Sequence, residues 1–347
     1  YLQNVDHCNT HGAFDAKLAP IKQSNLCMEI TLPTKPLYDI QDKNGEVALC
    51  TLSAVNLGAL DNLDELEDIT EIIVRSLDSL LDYQDYPLKA AELTSKNRRT
   101  LGIGVTNLAY YLAKNNAKYS DGSGNELIHK TFEALQFYSL KASNKLANDF
   151  GACPLFSETQ YAKGILPVDS YKKDIDEFCD TKLDLDWNSL RNDIKAIGLR
   201  NSTLTALMPC ESSSQISNST NGIEPPRGFV SIKQSKDGIL KQVVPEYEKL
   251  HNKYELLWDI KDNEGYLQLC AIMQKFVDQS ISTNTHYNPS QYEGSKVPMK
   301  LFLMDLLKAY KYGIKTLYYH TTRDGSSDDQ NNNKSIDDDC EDGVCKL

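Results

Sequence analysis

The sequence lacks any run of 18 or more apolar residues, so we expect no transmembrane helix. Its first seven residues lack the basic and apolar regions of a secretory signal peptide. Basic residues are also scarce, because 37 Lys and Arg stand against 49 Asp and Glu and give a net charge of −12. Polynucleotide binding needs a basic surface, so this deficit disfavours that class. These absences predict a soluble protein.

Nine cysteines are present, and neither their odd number nor their spacing fits a small disulfide-stapled domain. In a chain without a signal peptide we expect reduced thiols, some of them chemically active. The chain begins with Tyr1 and enters patterned sequence at once. We interpret this beginning as a truncation, a processed product or one piece of a split protein.

Apolar periodicity predicts helices that alternate with short strands, which favours an α/β fold with parallel strands. The predicted helices lie at 61–83, 126–149, 265–282 and 299–312. The predicted strands lie at 30–32, 47–52, 101–105, 203–208 and 314–319. We expect one catalytic domain at 1–323, followed by a separate segment at 324–347.

The segment 324–347 is rich in Asp, Asn and Ser and almost free of apolar residues. Such a composition cannot offset its ordering entropy, so we expect a flexible acidic tail. Cys340 and Cys345 lie near its end, and two thiols on a flexible tether suit thiol–disulfide exchange. Half of a zinc site and an inert tail are the alternatives, although the tail holds no matching ligands for zinc.

Asn25, Cys27 and Glu29 are spaced two residues apart and would share one face of an extended segment. That face would carry an amide, a thiol and a carboxylate, which can serve as a hydrogen-bonding group, a reactive sulfur and a general base. A turn around a small buried cysteine is the alternative interpretation of this pattern.

Two further motifs are ambiguous by themselves. Cys50 closes an apolar run, where a cysteine is most often a small buried hydrophobe. Tyr318 and Tyr319 end the last predicted strand, where tyrosines usually pack at a core or rim. The functional alternative for this pair is a redox-active dyad, because a phenol can lose an electron and a proton together.

Residues 206–215 read as a strand end, a proline at a helix start and several small hydroxyl residues. Backbone N–H groups at a helix start attract phosphate, which favours an anion-binding role for this segment. Ordinary helix capping by serine is the alternative.

Two weaker patterns lead to no site. His7, Cys8 and His11 cluster without a second ligand pair, so we predict no metal site there. Residues 101–105 contain two glycines but lack the third glycine and the acidic residue of a dinucleotide-binding fingerprint, so we reject that function.

Six segments in fixed order resemble one family. They are 24–29, 48–53, 208–214, 221–227, Tyr318-Tyr319 and the pair Cys340 and Cys345. This ordered set resembles the large subunits of class Ia ribonucleotide reductases of enterobacterial and T4-like phage type, over essentially the whole chain. The implied fold is the C-terminal half of a ten-stranded α/β barrel, with Cys27 on a loop that reaches into its centre.

The resemblance implies radical-based reduction of ribonucleoside diphosphates to 2′-deoxyribonucleoside diphosphates, in the cytoplasm of a bacterium or a phage-infected host. Cys27 would become the thiyl radical that removes the 3′ hydrogen, and Glu29 would take the 3′-hydroxyl proton. Asn25 would hydrogen-bond the sugar near the leaving 2′-hydroxyl. Cys50 would be one of two thiols that reduce the substrate radical and end as a disulfide.

The resemblance also implies partners. Tyr318 and Tyr319 would relay the radical from a separate small subunit, whose metal-linked oxidant generates it, and this chain would bind no cofactor itself. Cys340 and Cys345 would re-reduce the active-site disulfide and then be restored by thioredoxin or glutaredoxin.

A third implication is a substrate-binding set near the phosphates. It consists of Leu52, Pro209, Cys210, Glu211, Ser212 and Ser213. Cys210 departs from the family pattern, because relatives usually carry a hydroxyl residue there. A thiol is a weaker hydrogen-bond donor, so backbone N–H groups would do most of the phosphate binding.

The larger departure is an absence. The family's large subunits also carry an N-terminal half with the nucleotide-sensing domain, the first barrel strands and the thiol partner of Cys50, and this sequence matches none of them. We therefore expect a split enzyme that needs that half as a second chain, because an incomplete barrel exposes strand edges and apolar surface. An inactive remnant that only binds the small subunit is one alternative, and a thiol–disulfide exchange protein is another.

Overall fold

The computed structural model describes residues 1–235 and 238–323 of the chain. The α-helices are α1 (Val5–Thr10), α2 (Glu65–Tyr83), α3 (Lys89–Arg98), α4 (Leu108–Lys114), α5 (Asn125–Phe150), α6 (Pro167–Ser170), α7 (Trp187–Ile197), α8 (Glu211–Ile216), α9 (Tyr247–Leu250), α10 (Glu264–Phe276) and α11 (Met299–Lys311). The strands are β1 (Leu2–Gln3), β2 (Leu52–Asn56), β3 (Gly102–Thr106), β4 (Val230–Ser235), β5 (Gly238–Val243), β6 (Thr285–Tyr287), β7 (Thr316–Leu317) and β8 (His320–Thr322). The predicted tail at 324–347, with Cys340 and Cys345, lies outside the described residues.

A row of parallel segments forms the centre of the fold. β2 pairs with β3 in parallel, and Ile103 of β3 bridges Thr205 in parallel. Leu207 bridges Ile281, and β6 then pairs in parallel with β8. At its far end the row is extended by β1, which is antiparallel to β7. The predicted α/β class with parallel strands is confirmed, and within the described residues the row does not close on itself.

Helices cover the row and bury its apolar side chains. α5 packs against α2, α7 and α10 and is therefore buried on most of its surface. α2 turns a stripe of apolar residues at helical spacing towards α5, including Leu66, Val74, Leu77 and Leu81. Its first turn is acidic, which complements the positive end of the helix dipole.

Some predicted boundaries are wrong. Residues 30–32 form no strand, and the strand predicted at 47–52 instead begins at Leu52. The predicted strand at 203–208 is extended but joins the row only through isolated bridges and single hydrogen bonds. The helix predicted at 265–282 ends at Phe276. It ends there because residues 278–282 bond to the neighbouring extended segment instead of continuing a helix.

A buried ionic group fixes this last segment. The Asp278 carboxylate accepts hydrogen bonds from the backbone N–H groups of Leu204 at 2.9 Å and Thr205 at 3.0 Å, and from the hydroxyl of Tyr161 at 2.8 Å. The Lys315 ammonium donates to the carbonyls of residues 277, 278 and 279. Burial raises the pKa of Asp278 and lowers that of Lys315 to about 8. Three neighbouring segments are therefore held in register by two side chains.

Asp278→Asn should lower the free energy of unfolding by about 3 kcal/mol, because an amide N–H₂ would face donors that now share a carboxylate, leaving them unpaired and buried. Urea denaturation of the purified chain, followed by fluorescence, measures this loss. Asp193→Asn, which changes an exposed carboxylate of α7, is the matched control and should stay within about 0.5 kcal/mol of the wild type. Equal losses in the two variants would contradict the role given to Asp278.

Candidate active site

Residues 25–29 form a tight turn. The N–H of Met28 donates to the carbonyl of Asn25 at 3.2 Å, and Met28 has a left-handed backbone with φ of 68°. The prediction that this segment is extended is therefore wrong. Two of the expected side chains still meet, because the turn folds back and the Asn25 amide donates to Glu29 Oε1 at 2.8 Å. Asn25 Oδ1 also accepts from the N–H of Ile30 at 3.1 Å, so one side chain spans the turn.

The central row holds this turn in place. The N–H of Ser280 donates to the carbonyl of Glu29 at 3.0 Å, and the N–H of Thr31 donates to the side chain of Gln279 at 3.3 Å. The hydroxyl of Ser282 donates to the carbonyl of Cys27 at 2.5 Å. The turn is thus attached to the segment that Asp278 and Lys315 fix.

Glu29 is the buried carboxylate of the site, with 2% of its surface exposed. Burial raises its pKa, while hydrogen bonds from Asn25 and Ser282 act in the opposite direction. A carboxylate with a raised pKa is a stronger base and is well suited to accept a proton from a bound hydroxyl group.

Two tyrosines lead from the surface to the Cys27 thiol. The hydroxyl of Tyr318 lies 3.7 Å from Cys27 Sγ, in hydrogen-bonding geometry. The ring of Tyr319 packs against that of Tyr318 with centroids 3.9 Å apart. Tyr318 is buried, whereas 47% of Tyr319 is exposed. Burial, together with the contacts to Tyr319 and Cys27, raises the pKa of Tyr318, so this phenol stays protonated at neutral pH.

Cys50 lies across Asn25 from Glu29, with its Sγ 4.0 Å from Asn25 Nδ2. It is exposed and precedes β2, so the expectation that it closes a strand is wrong. Protein atoms crowd one side of the thiol, and this desolvation, with Glu29 and Cys27 nearby, raises its pKa to about 11. At neutral pH Cys50 therefore carries its hydrogen, as a hydrogen donor must. Leu52 follows two residues later at the start of β2.

The predicted phosphate segment lies at the start of α8. Pro209 precedes the capping residue Cys210, so the proline is not at the first helical position as expected. The Cys210 thiol is buried and lies 3.5–3.6 Å from the carbonyls of Met208 and Val105. Burial raises its pKa to about 11, and Glu29 contributes to that rise, which places the segment beside the turn. Glu211, Ser212 and Ser213 follow and are exposed.

Two residues of the site carry no signal in a single sequence. Ser282 reaches Cys27 across 255 positions, and no local motif marks it. The Asn284 side-chain carbonyl accepts a hydrogen bond from the N–H of Tyr319 at 2.8 Å, and its amide N–H₂ donates to Glu224. Asn284 therefore fixes the backbone of the exposed tyrosine. Glu224 belongs to the segment 221–227, whose order contributed to the resemblance.

The remaining histidine and cysteine patterns form no site in the described part of the chain. His7 and His11 each bond to a backbone carbonyl, of Tyr310 and Ser170 respectively. Across residues 1–235 and 238–323, no three side chains of the metal-binding types lie close enough to share an ion. Over the same residues, no helix has the length and apolarity needed to cross a membrane.

Comparison with known proteins gives consistent matches. The family model described as "Ribonucleotide reductase, barrel domain" matches residues 1–320. The chain is 67% identical to the ribonucleoside-diphosphate reductase subunit alpha of Haemophilus influenzae and 66% identical to the ribonucleoside-diphosphate reductase 1 subunit alpha of Escherichia coli. It is 49% identical to the alpha subunit of Enterobacteria phage T4. Each match covers 100% of this chain but 46% of the relative, so the chain spans about half their length. With the parallel row and the turn around Cys27, these matches show that the chain belongs to the ribonucleotide reductase family and comprises its barrel domain in part.

Proposed function

We propose that this chain is the C-terminal catalytic part of the large subunit of a ribonucleoside-diphosphate reductase, an oxidoreductase that supplies deoxyribonucleotides for DNA synthesis. One observation carries the proposal: the Cys27 thiol lies 3.7 Å from the Tyr318 hydroxyl, on the same turn that joins Asn25 to Glu29 through a 2.8 Å hydrogen bond. A thiol in contact with a buried phenol, on a turn that also holds a buried carboxylate, is suited to radical chemistry on a hydroxylated substrate.

In the proposed reaction the radical reaches Cys27 through the tyrosines. A Tyr319 radical takes a hydrogen atom from Tyr318, and the Tyr318 radical then takes one from the Cys27 thiol. Each phenol is restored, and a thiyl radical remains on sulfur. The contact between the two tilted rings, with centroids 3.9 Å apart, and the 3.7 Å O–S separation support this order of transfer, because short contacts favour coupled movement of the electron and proton.

The Cys27 thiyl radical then removes the 3′ hydrogen of a ribonucleoside diphosphate. Glu29 takes the 3′-hydroxyl proton, and Asn25 hydrogen-bonds the sugar near the 2′-hydroxyl, which leaves as water. Cys50 and a second thiol supply two electrons and two protons and end as a disulfide. The protonated state of Cys50 at neutral pH supports its part in this step.

The proposed substrate-binding set lies next to the turn. It comprises Leu52, Pro209, Cys210, Glu211, Ser212 and Ser213. The Cys210 thiol faces two backbone carbonyls, so we assign phosphate binding to the backbone of the segment and not to this thiol. The influence of Glu29 on the pKa of Cys210 supports the placement of the segment beside the sugar.

The proposed partners follow from what is exposed. Cys50 and the open side of the row would be covered by the N-terminal half of the large subunit, which would bring the second thiol. The small subunit, with its metal-linked radical, would dock near Tyr319. α11 leads towards this tyrosine and exposes Met299, Leu303 and Leu307 on one face, which suits a protein contact.

We further propose that residues 1–323 act as the catalytic domain and 324–347 as a redox tail. Cys340 and Cys345 would reduce the active-site disulfide by thiol exchange, and thioredoxin or glutaredoxin would restore them. A regenerating dithiol on a tether solves the problem of access to a disulfide enclosed by both halves.

Reduction of cytidine diphosphate by the purified chain, with a small dithiol and a matching small subunit, tests the function directly. Activity should require the N-terminal half, because Cys50 needs its partner thiol. No activity in any mixture, with binding to the small subunit retained, would identify an inactive remnant. Activity without the N-terminal half would mean that another thiol pairs with Cys50.

Cys27→Ser should abolish turnover in the complete assembly without unfolding the chain, because an alcohol O–H bond is too strong for a tyrosyl radical to break. Deoxycytidine diphosphate formation and far-ultraviolet circular dichroism measure the two properties. Cys153→Ala, which removes a buried thiol outside the cluster, should keep turnover. Equal loss in both variants would argue against a special role for Cys27.

Cys340→Ser should abolish repeated turnover with thioredoxin as reductant, while a single turnover, or turnover with a small dithiol, is spared. Counting product per active site under each reductant separates the two regimes. A variant that fails equally with the small dithiol would overturn the assignment of the tail.

A further inference from the structure

Ser282 lies at a junction that the proposed reaction does not use. It is buried in the extended segment after Asp278, and its N–H donates to the carbonyl of Leu207 at 2.9 Å. Its Oγ lies 2.5 Å from the carbonyl oxygen of Cys27 and 3.2 Å from Glu29 Oε2. A hydroxyl group has one hydrogen, so it can donate fully to only one of these two acceptors at a time.

The protonation state of Glu29 decides how this hydrogen is shared. When Glu29 is ionised, its Oε2 and the Cys27 carbonyl compete for the same hydrogen. When Glu29 is protonated, its acid O–H can donate to Ser282 Oγ, and Ser282 is then free to donate to Cys27. Proton uptake by Glu29 therefore leaves the Ser282 hydrogen to the Cys27 carbonyl alone.

The Asn25 amide favours placement of the Glu29 proton on Oε2, the oxygen that faces Ser282. It donates to Oε1 of Glu29 at 2.8 Å, so Oε1 acts as an acceptor and Oε2, which faces Ser282, is the better place for a proton. The backbone on both sides is pinned, because Ser280 donates to the Glu29 carbonyl and Ser282 donates to that of Leu207. A change at Glu29 is therefore passed on through the hydroxyl of Ser282 and not through movement of the segment.

We propose that Ser282 is a positioning residue that couples proton uptake by Glu29 to the placement of the Cys27 peptide. The proposal rests on the proposed function, in which Glu29 takes the proton of the 3′-hydroxyl group. As that proton arrives, Ser282 donates its hydrogen to the Cys27 carbonyl alone. This hydrogen bond then holds the turn in place while the Cys27 sulfur carries the hydrogen taken from the substrate. Ser282 does not touch the substrate in this role.

Among the described residues, two thiols interact electrostatically with Glu29. They are Cys50 before β2 and Cys210 before α8. Burial raises the pKa of Cys50 and of Cys210 to about 11 each, so these two do not change charge near neutral pH. Among the described residues no charged side chain contributes to the pKa shift of Glu29.

Ser282→Ala tests the coupling through the pH profile of turnover in the complete assembly. The lost hydrogen bond stabilises the ionised carboxylate, so its removal raises the pKa of Glu29 further. The pH midpoint of turnover that needs ionised Glu29 should then lie roughly one unit higher than in the wild type. Ser282→Thr restores the hydroxyl and should restore the midpoint.

Ser280→Ala is the matched control. It removes a buried serine hydroxyl from the same segment, but one that bonds to Thr316 Oγ1 at 2.5 Å and not to the turn. Its pH midpoint should equal that of the wild type. Equal shifts in the Ser280 and Ser282 variants would show a general disturbance of the segment and overturn the proposal.

Infrared titration keeps this inference separate from the proposed function, because it needs no turnover. The Glu29 carboxyl band is assigned with Glu29→Gln, and the ¹³C-labelled Cys27 carbonyl with Cys27→Ser. In the wild type the Cys27 carbonyl should shift at the Glu29 midpoint, and in Ser282→Ala it should not. If the Cys27 carbonyl band of the wild type does not shift during the titration of Glu29, the proposed coupling is overturned. Coupled bands without any deoxynucleotide formation would instead reject the proposed function.

Discussion

The structure depends on the buried contact of Asp278 and Lys315 with the backbone around them. Burying two charges is unfavourable unless hydrogen bonds replace the lost water, and here backbone groups of two segments, 204–205 and 277–279, do so. The segment that they hold continues through Ser280 and Ser282, which contact the turn of Cys27. The position of the Cys27 thiol therefore depends on the buried segment that contacts the turn, and not on the turn alone.

The site combines two thiols in different surroundings. Cys27 is partly buried, and its thiol lies against the hydroxyl of the buried Tyr318. Cys50 faces outwards on the other side of Asn25. Enclosure suits a reactive intermediate, whereas exposure suits a group that must meet a second thiol and be regenerated. The exposed side also agrees with a chain that spans about half the length of its relatives.

Local patterns predicted the long elements well. The helix α5 and the strand β3 follow from apolar spacing, because each buries one continuous set of side chains. The turn at 25–29 was misjudged, since alternation in an extended segment and a tight turn both bring Asn25 and Glu29 together. The end of α10 and the contact of Ser282 with Cys27 could not be predicted, because both depend on partners far away in the sequence. The ordered motifs located the site. Only the structure revealed the contacts from Ser280 and Ser282 that hold the turn in place.

The pairing of β1 with β7 joins the two ends of the described chain, since Leu2 lies opposite Leu317. The contact between Cys27 and Tyr318 likewise spans 291 positions. Contacts of such separation form only after the intervening chain has been made, because closing so long a loop requires both ends. During synthesis on the ribosome, Cys27 therefore emerges 291 positions before Tyr318. While those positions are translated, the nascent chain carries the thiol without the phenol that it contacts in the folded structure, and the pair is assembled only afterwards.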